Sequence, residues 1–187
     1  MILPRSFYDR PTVEVARGLL GKIIVHGETS GLIVETEAYI GCHDEAAHAS
    51  RGLTPRTKVI FGEPGHAYVY FIYGMYYCLN LVAESAGSPG CVLIRALEPA
   101  GGIPIMRRRR GVERLESLTS GPGKLTLAMG IDLRHNGADV TRGDFTVRDT
   151  GVPLQHPIAE GPRIGIRKAV DWPLRFWLHG NRFVSRR

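Results

Sequence analysis

The spacing of apolar residues changes period several times along the chain, and each change marks an element. Residues 11–20 bring Val13, Ala16, Leu19 and Leu20 onto one helical face, with Pro11 suited to a first turn and Gly18 and Gly21 near a stop. A short N-terminal helix is expected there. Residues 22–26 and 31–40 are rich in β-branched side chains and flank Gly27-Glu28-Thr29-Ser30, the pattern of a hairpin. Residues 41–65 are polar and rich in Gly and Pro, which predicts a long loop carrying one short helix; loops of that length in compact domains usually serve function. Two more strands are expected over 66–73 and 75–83, turning at Gly74, and a third over 91–97. Helical spacing follows over 103–118 and 121–129, where Ser120 can cap and Pro122 can occupy the first turn. Strands are expected again over 145–148, 163–167 and 174–179. With no repeat or linker, the whole chain, 1–187, reads as one α+β domain built on an antiparallel sheet.

Composition narrows the class. A chain of 187 residues, 43% of them hydrophobic, is long enough to bury about 70% of its unfolded surface without a metal or a disulfide. No apolar run approaches the roughly 18 residues of a membrane span, and the first residues lack the apolar stretch of a secretory signal, so a cytoplasmic location off the membrane is expected. Cys42, Cys78 and Cys91 form no Cys-x-x-Cys pair and are odd in number, which fits free thiols. The net charge of +6 is carried mostly by arginine, with Lys22, Lys58, Lys124 and Lys168 the only lysines. Guanidinium forks bind phosphate oxygens bidentately, so this surface suits a polyanion.

Alternation on the 31–40 strand sets Leu32, Val34, Thr36, Ala38 and Ile40 against Ile33, Glu35, Glu37 and Tyr39. A solvated face is the ordinary explanation of two carboxylates on one side. The 91–97 strand changes that, because Arg95 shares a face with Cys91, Leu93 and Leu97, and a buried arginine must be paired. Glu37 or Glu35 is its natural partner. Such a pair favours the charged carboxylate, and an ionised carboxylate in a cleft can act as a general base toward water. A purely structural ion pair is the alternative. The 66–77 segment holds five of the seven tyrosines; Tyr68 and Tyr70 share a face while Tyr73 and Met75 flank the turn glycine. Sheet packing explains most of these, but a large side chain at a hairpin tip fits a wedge inserted between stacked bases.

Other chemistries find less support. His43 and His48 are five residues apart, roughly 140° around a helix, so the His-Glu-x-x-His zinc spacing is absent, and Glu45-x-x-His48 has no second copy. There is no Gly-x-Ser-x-Gly elbow and no phosphate-binding Walker loop. Ser120-Gly121-Pro122-Gly123-Lys124 can present a helix N-terminus to an anion, and one or two of the arginines at 107–110 can meet a phosphate.

Seven blocks in order along the chain, Val34-Glu35-Thr36-Glu37-Ala38-Tyr39, Asp44-Glu45-Ala46-Ala47-His48, Thr54-Pro55-Arg56, Tyr68-Val69-Tyr70, Ile72-Tyr73-Gly74-Met75-Tyr76, 92–99 and Ser120-Gly121-Pro122, resemble the alkyladenine (3-methyladenine) DNA glycosylase family. The resemblance implies a curved, mainly antiparallel sheet with flanking helices and a protruding β-hairpin. It implies a monomeric, monofunctional enzyme of base excision repair, nucleoid-associated in a bacterium. Its partner would be double-stranded DNA containing damaged purines, from which it flips an alkylated or deaminated purine and hydrolyses the N-glycosidic bond without metal or organic cofactor. Glu37 matches the general base, Arg95 the arginine that holds the attacking water, and Ile164 the residue whose backbone carbonyl assists. Tyr39, His48 and Tyr70 match the stacking side chains, Asn80 the asparagine that excludes the guanine amino group, and Tyr73 the intercalating wedge. Met75, Thr54, Arg56 and Lys124 are the further expected DNA contacts. No lysine sits in the matched pocket positions, so strand cleavage through a Schiff base is not expected. The chain departs from the family's pattern in a shorter 49–53 loop, in Glu63 in place of a lysine, and over 100–160. A catalytically inactive nucleic-acid-binding module on the same fold, or a metal-dependent hydrolase around His43, Asp44, Glu45 and His48, are the competing readings.

Overall fold

A computed structural model describes residues 1–185; Arg186 and Arg187 lie outside the described residues. Eight strands make one sheet: β1 (Ile23–His26), β2 (Thr29–Ile40), β3 (Ala67–Ile72), β4 (Tyr76–Ala83), β5 (Gly90–Gly101), β6 (Phe145–Arg148), β7 (Ile158–Gly161) and β8 (Arg175–Leu178). The strand order is β3-β4-β5-β2-β1-β6, with β8 joined to β2 and β7 to β8, and the pairings are antiparallel. Helices α1 (Arg5–Tyr8), α2 (Thr12–Leu19), α3 (Ile103–Arg110) and α4 (Pro122–Met129) flank it. The expected α+β domain with a curled antiparallel sheet is present, and the β3–β4 hairpin carries its exposed tip outward.

The long central strand β2 organises the sheet. β5 follows one edge of it, while the other edge is divided, β1 pairing with Thr29–Leu32 and β8 with Glu35–Glu37. At the handover the register with β5 shifts between Ile33 and Glu35, an irregularity of the kind that bends and twists a strand. Every residue from Ile33 to Ala38 is fully buried, so β2 is covered on both faces and the solvated carboxylate face does not exist. α2 supplies one cover. Its Val15, Ala16 and Leu19 are fully buried, each large side chain contributing roughly 1.5–3 kcal/mol, and the Thr36 hydroxyl donates to the Ala16 carbonyl at 2.9 Å.

Several expected boundaries moved for local reasons. Pro11 precedes α2 as its cap, and the first hairpin turns on Gly27 and Glu28 alone because Thr29 and Ser30 already pair with β1. The helix expected over 103–118 stops at Arg110, where Gly111 takes a left-handed φ of 62°, and a separate 3-10 turn covers Leu115–Ser117. Three of its four arginines bond the chain's own carbonyls: Arg107 to Glu113, Arg109 to Ala128 and Arg110 to Leu118. Gly121, not Ser120, caps α4, and no side chain bonds there. No strand forms over 163–167; β7 lies just before it, and the segment itself becomes a loop beside β2. The short α1 had no apolar period to announce it.

Candidate active site

Glu37 stands at the centre of β2 with its carboxylate fully buried. The Ile164 N–H donates to Oε1 at 2.7 Å, Nη1 of Arg95 lies 3.3 Å from the same oxygen, and the Tyr39 hydroxyl donates to Oε2 at 2.9 Å. Sequence reasoning paired Arg95 with Glu37 or Glu35; the guanidinium meets both, its Nε bonding Glu35 Oε1 at 3.1 Å. The expectation that pairing would settle the charge needs correction in degree. Burial raises the Glu37 pKa, and Arg95, the Ile164 amide and the Tyr39 hydroxyl lower it without cancelling that rise, so the carboxylate is a stronger base than one in water. Burial works against the Arg95 charge as well, but Glu37 and Glu35 outweigh it and raise its pKa.

A cavity of about 500 Å³ opens over this floor, and Tyr39, His48, Tyr70, Asn80, Arg95, Ile164 and Tyr73 all line it. The sheet brings them together from distant positions: Tyr39 lies near the end of β2, Tyr70 on β3 is paired with Cys78 and Asn80 on β4 with Tyr68, and His48 opens a 3-10 turn in the long loop. His48 Nδ1 is 2.9 Å from the Tyr68 hydroxyl, and its ring meets that of Tyr70 edge-on at 4.6 Å. Burial, then the charges of Arg56 and Arg51, push its pKa down to about 4, so at neutral pH the imidazole is uncharged. Asn80 is buried and its Nδ2 donates to the Tyr68 carbonyl at 3.1 Å. Two flat rings and a neutral imidazole leave a slot shaped for a planar heterocycle, and rings of this kind attract cations.

Tyr73 and Met75 are 76% and 65% exposed at the hairpin tip, above the mouth. Tyr73 holds φ at 54° and Gly74 at 68°, and the Met75 N–H donates to the Ile72 carbonyl at 3.3 Å, a two-residue turn whose left-handed residues match the twist of the strands. Lys124 is exposed on α4, whose Pro122 lines the cavity. Arg56 lies over the Tyr70 ring at 5.3 Å. Thr54 faces its own turn, 2.9 Å from the Thr57 hydroxyl, and is not brought to the cavity.

Sequence reasoning missed a clamp behind the slot. Arg163 is buried, donates to Asp44 Oδ1 at 2.8 Å and to the Ala38 carbonyl at 3.0 Å, and lays its guanidinium 4.6 Å from the Tyr39 ring. Asp44 also accepts the N–H groups of Ile40 and Ala46. Burial opposes its charge, yet Arg163 and these amides hold its pKa below the usual range. In the sequence Asp44 stands in the Asp44–His48 block, where its neighbours suggest a metal ligand and nothing local points to Arg163. Of the residues in the competing metal reading, Asp44 bonds Arg163, Glu45 pairs with Lys168 at 3.2 Å and His48 meets Tyr68, and no group of three candidate ligands forms among the described residues. Lys168, outside the matched positions, does line the cavity. Glu37 itself is buried and does not line this cavity, but its partners Tyr39, Arg95 and Ile164 do; a second cavity of about 500 Å³, beside Leu154, Leu178 and Phe183, contains none of those three.

The α+β domain thus holds a buried carboxylate–arginine pair beside a cavity lined by tyrosines and an imidazole. The chain belongs to the methylpurine-DNA glycosylase family, whose model matches residues 6–182. Among its relatives, a protein of Methanoculleus marisnigri is 50% identical with all of both chains covered. One of Legionella pneumophila (strain Corby) is 47% identical with 98% of each covered. One of Methanocella arvoryzae is 54% identical over 94% of this chain and 90% of its own. Each bears the name "Putative 3-methyladenine DNA glycosylase". No helix among the described residues is long and apolar enough to cross a membrane.

Proposed function

We propose that this protein is a monofunctional DNA glycosylase that flips alkylated or deaminated purines out of duplex DNA and hydrolyses their N-glycosidic bond. The observation that carries the reading is the Glu37 carboxylate, fixed by Ile164, Tyr39 and Arg95 at the end of the aromatic slot. A carboxylate offers about four acceptor positions; Ile164 and Tyr39 fill two and Arg95 lies against Oε1, so capacity remains for a water proton. Glu37 takes that proton as the water attacks C1′ of the deoxyribose. Arg95 helps to hold that water, the Ile164 backbone, already beside Glu37 through its amide, offers its carbonyl to the same water, and the C1′–N bond breaks with its electron pair leaving on the purine. Tyr39, His48 and Tyr70 stack on the base, the neutral His48 adding no repulsion toward a cationic purine. Asn80 crowds a guanine amino group, and Tyr73 fills the gap in the helix.

Lys168 does not make the enzyme a lyase in this reading. Its side chain is 65% exposed and ion-paired with Glu45, whereas Schiff-base lysines are activated by desolvation or by a neighbouring cation. With DNA as substrate, the basic surface supplies affinity and the monomer suffices. The reaction belongs to base excision repair, in the cytoplasm or on the nucleoid, with no cofactor step.

The test is Glu37→Gln on duplexes carrying one defined lesion. Base release should fall about 10²–10⁴-fold while affinity for the lesion duplex is kept. In the unaltered protein the rate should drop on acidification through a pH above the ordinary carboxylate value, because the base must be deprotonated and its pKa is raised. Undiminished release by Glu37→Gln would reject the general base and leave Glu37 a structural partner of Arg95, whereas lesion binding with no release by the unaltered protein would favour the inactive binding module.

A further inference from the structure

Glu35, the nearest carboxylate to Glu37, takes no part in the reaction described above. It is fully buried two residues earlier on β2, and four donors converge on it. Arg95 Nε lies at 3.1 Å, Arg175 Nε at 2.7 Å, the Ser185 N–H at 2.7 Å and the Ser185 hydroxyl at 3.0 Å. Arg95 in turn spends its fork unequally. Nε bonds Glu35 and Nη2 donates to the Ser185 hydroxyl at 3.3 Å, while Nη1 only ion-pairs with Glu37 at 3.3 Å. The guanidinium is anchored from behind and presented forward. Ser185 is itself held in place, since Asn181 bonds Glu98 on β5 at 2.8 Å and accepts the Phe183 N–H at 2.9 Å.

Resting on the reading of Glu37 as the base, we infer that Glu35 and Ser185 are positioning residues that aim Arg95 at Glu37 and keep its charge divided between two carboxylates. Were Glu35 absent, Arg95 would turn its full charge on Glu37, binding it more tightly and making it a poorer proton acceptor. The groups facing Glu37 are Arg95 from β5, Tyr39 and Glu35 from β2, Cys78 from β4 and Arg175 opposite it on β8. Glu35 contributes a smaller upward push on Glu37 than burial does, and it is the one negative neighbour that a single conservative change removes.

Glu35→Gln in the full chain tests this through the pH dependence of single-turnover base release. The acid limb should move to lower pH, and the plateau rate should fall about tenfold. A purely structural Glu35 would change thermal stability and leave the limb in place. Ser185→Ala keeps the backbone N–H on Glu35 and loses both hydroxyl bonds; it should lower the plateau rate about three- to tenfold without weakening lesion-duplex affinity. A folded Glu35→Gln protein with an unmoved limb overturns the inference, and if that variant does not fold, a wild-type rate in Ser185→Ala overturns it. Glu37→Gln run in parallel separates the two claims. If that variant still releases base, the underlying general-base reading fails; if it is inactive while Glu35→Gln keeps the wild-type limb, only the clamp fails.

Discussion

The floor of the cleft and the tip of the β3–β4 hairpin are both aimed at the same cavity, yet they are built on opposite principles. At the floor, Glu35 and Glu37 are fully buried and fixed by donors from more than one element, and Arg95, 7% exposed, donates to Glu35 and Ser185 and pairs with Glu37. At the tip, Tyr73 projects into solvent from a left-handed backbone that a tyrosine adopts at a cost of about 1–2 kcal/mol. The chain over-determines the groups that would touch reacting atoms and leaves to its partner the group that would fill a space in DNA. A strained, exposed aromatic has no role in the protein's own stability, so its placement points outward, to what it meets.

If this contrast is right, the floor should be sensitive to loss of its hidden supports. Arg163→Ala should produce the largest effect on stability: it leaves Asp44 buried and uncompensated, which costs about 3–5 kcal/mol. Urea denaturation reads that directly. Because the Asp44 pKa is lowered in the folded state, its stabilising contribution is complete above the unfolded carboxylate pKa and is lost as the pH falls through the folded value. The variant should therefore lose the corresponding part of the wild type's acid sensitivity. A change below about 1 kcal/mol would show that the clamp is dispensable and that Tyr39 is held by other means.

The tip should behave the other way. Tyr73→Ala should alter stability by no more than about 0.5 kcal/mol, since the side chain is 76% exposed and alanine, which keeps the Cβ, meets the same left-handed strain. Base release should fall about tenfold on lesions that remain well paired, and less on mispaired ones, because flipping is cheapest where stacking and pairing are already weak. Equal loss on all lesion contexts would assign Tyr73 to general DNA affinity and dissolve the division between floor and tip.

The two regions also differed in how far the sequence disclosed them. Period-two alternation found β2 and β5, and the apolar neighbours of Arg95 showed that it turns inward and needs a carboxylate. Gly74 marks the hairpin turn, but Tyr73 shares it, so the strands end at Ile72 and resume at Tyr76 rather than running to 73 and from 75. Alternation could not report that β2 is buried on both faces, because that depends on α2 and on β8, which arrives from the far end of the chain. The pairings of Asp44 with Arg163 and of Glu35 with Arg175 and Ser185 span more than a hundred residues each, and no local pattern encodes contacts that only tertiary folding creates. The 163–167 segment reads as a strand for its alternating isoleucines, yet its backbone serves the site instead, with Ile164 donating to Glu37. The arginines at 107–110 likewise read as a cationic surface, and the fold spends most of them on its own carbonyls.

Lys124 belongs to neither region, and it sharpens the comparison with the smallest of the effects. It is exposed on the first turns of α4, beside the cleft mouth but outside the cavity lining. A lysine that meets one phosphate contributes through counterion release, so Lys124→Ala should weaken binding uniformly to lesion-containing and undamaged duplexes. The slope of log K against log salt should become less steep by about 1, and single-turnover release from saturated complexes should be unchanged. That pattern would separate three tasks by measurement: the floor sets the chemical rate, the tip sets the dependence on lesion pairing, and the helix end sets only how tightly DNA is held. A lesion-dependent loss in Lys124→Ala would instead tie α4 to flipping. Its N-terminus packs against Tyr76, the first residue of β4 after the hairpin turn, where a side chain at Gly123 would come within 2.8 Å of the ring, so the helix would then be supporting the tip.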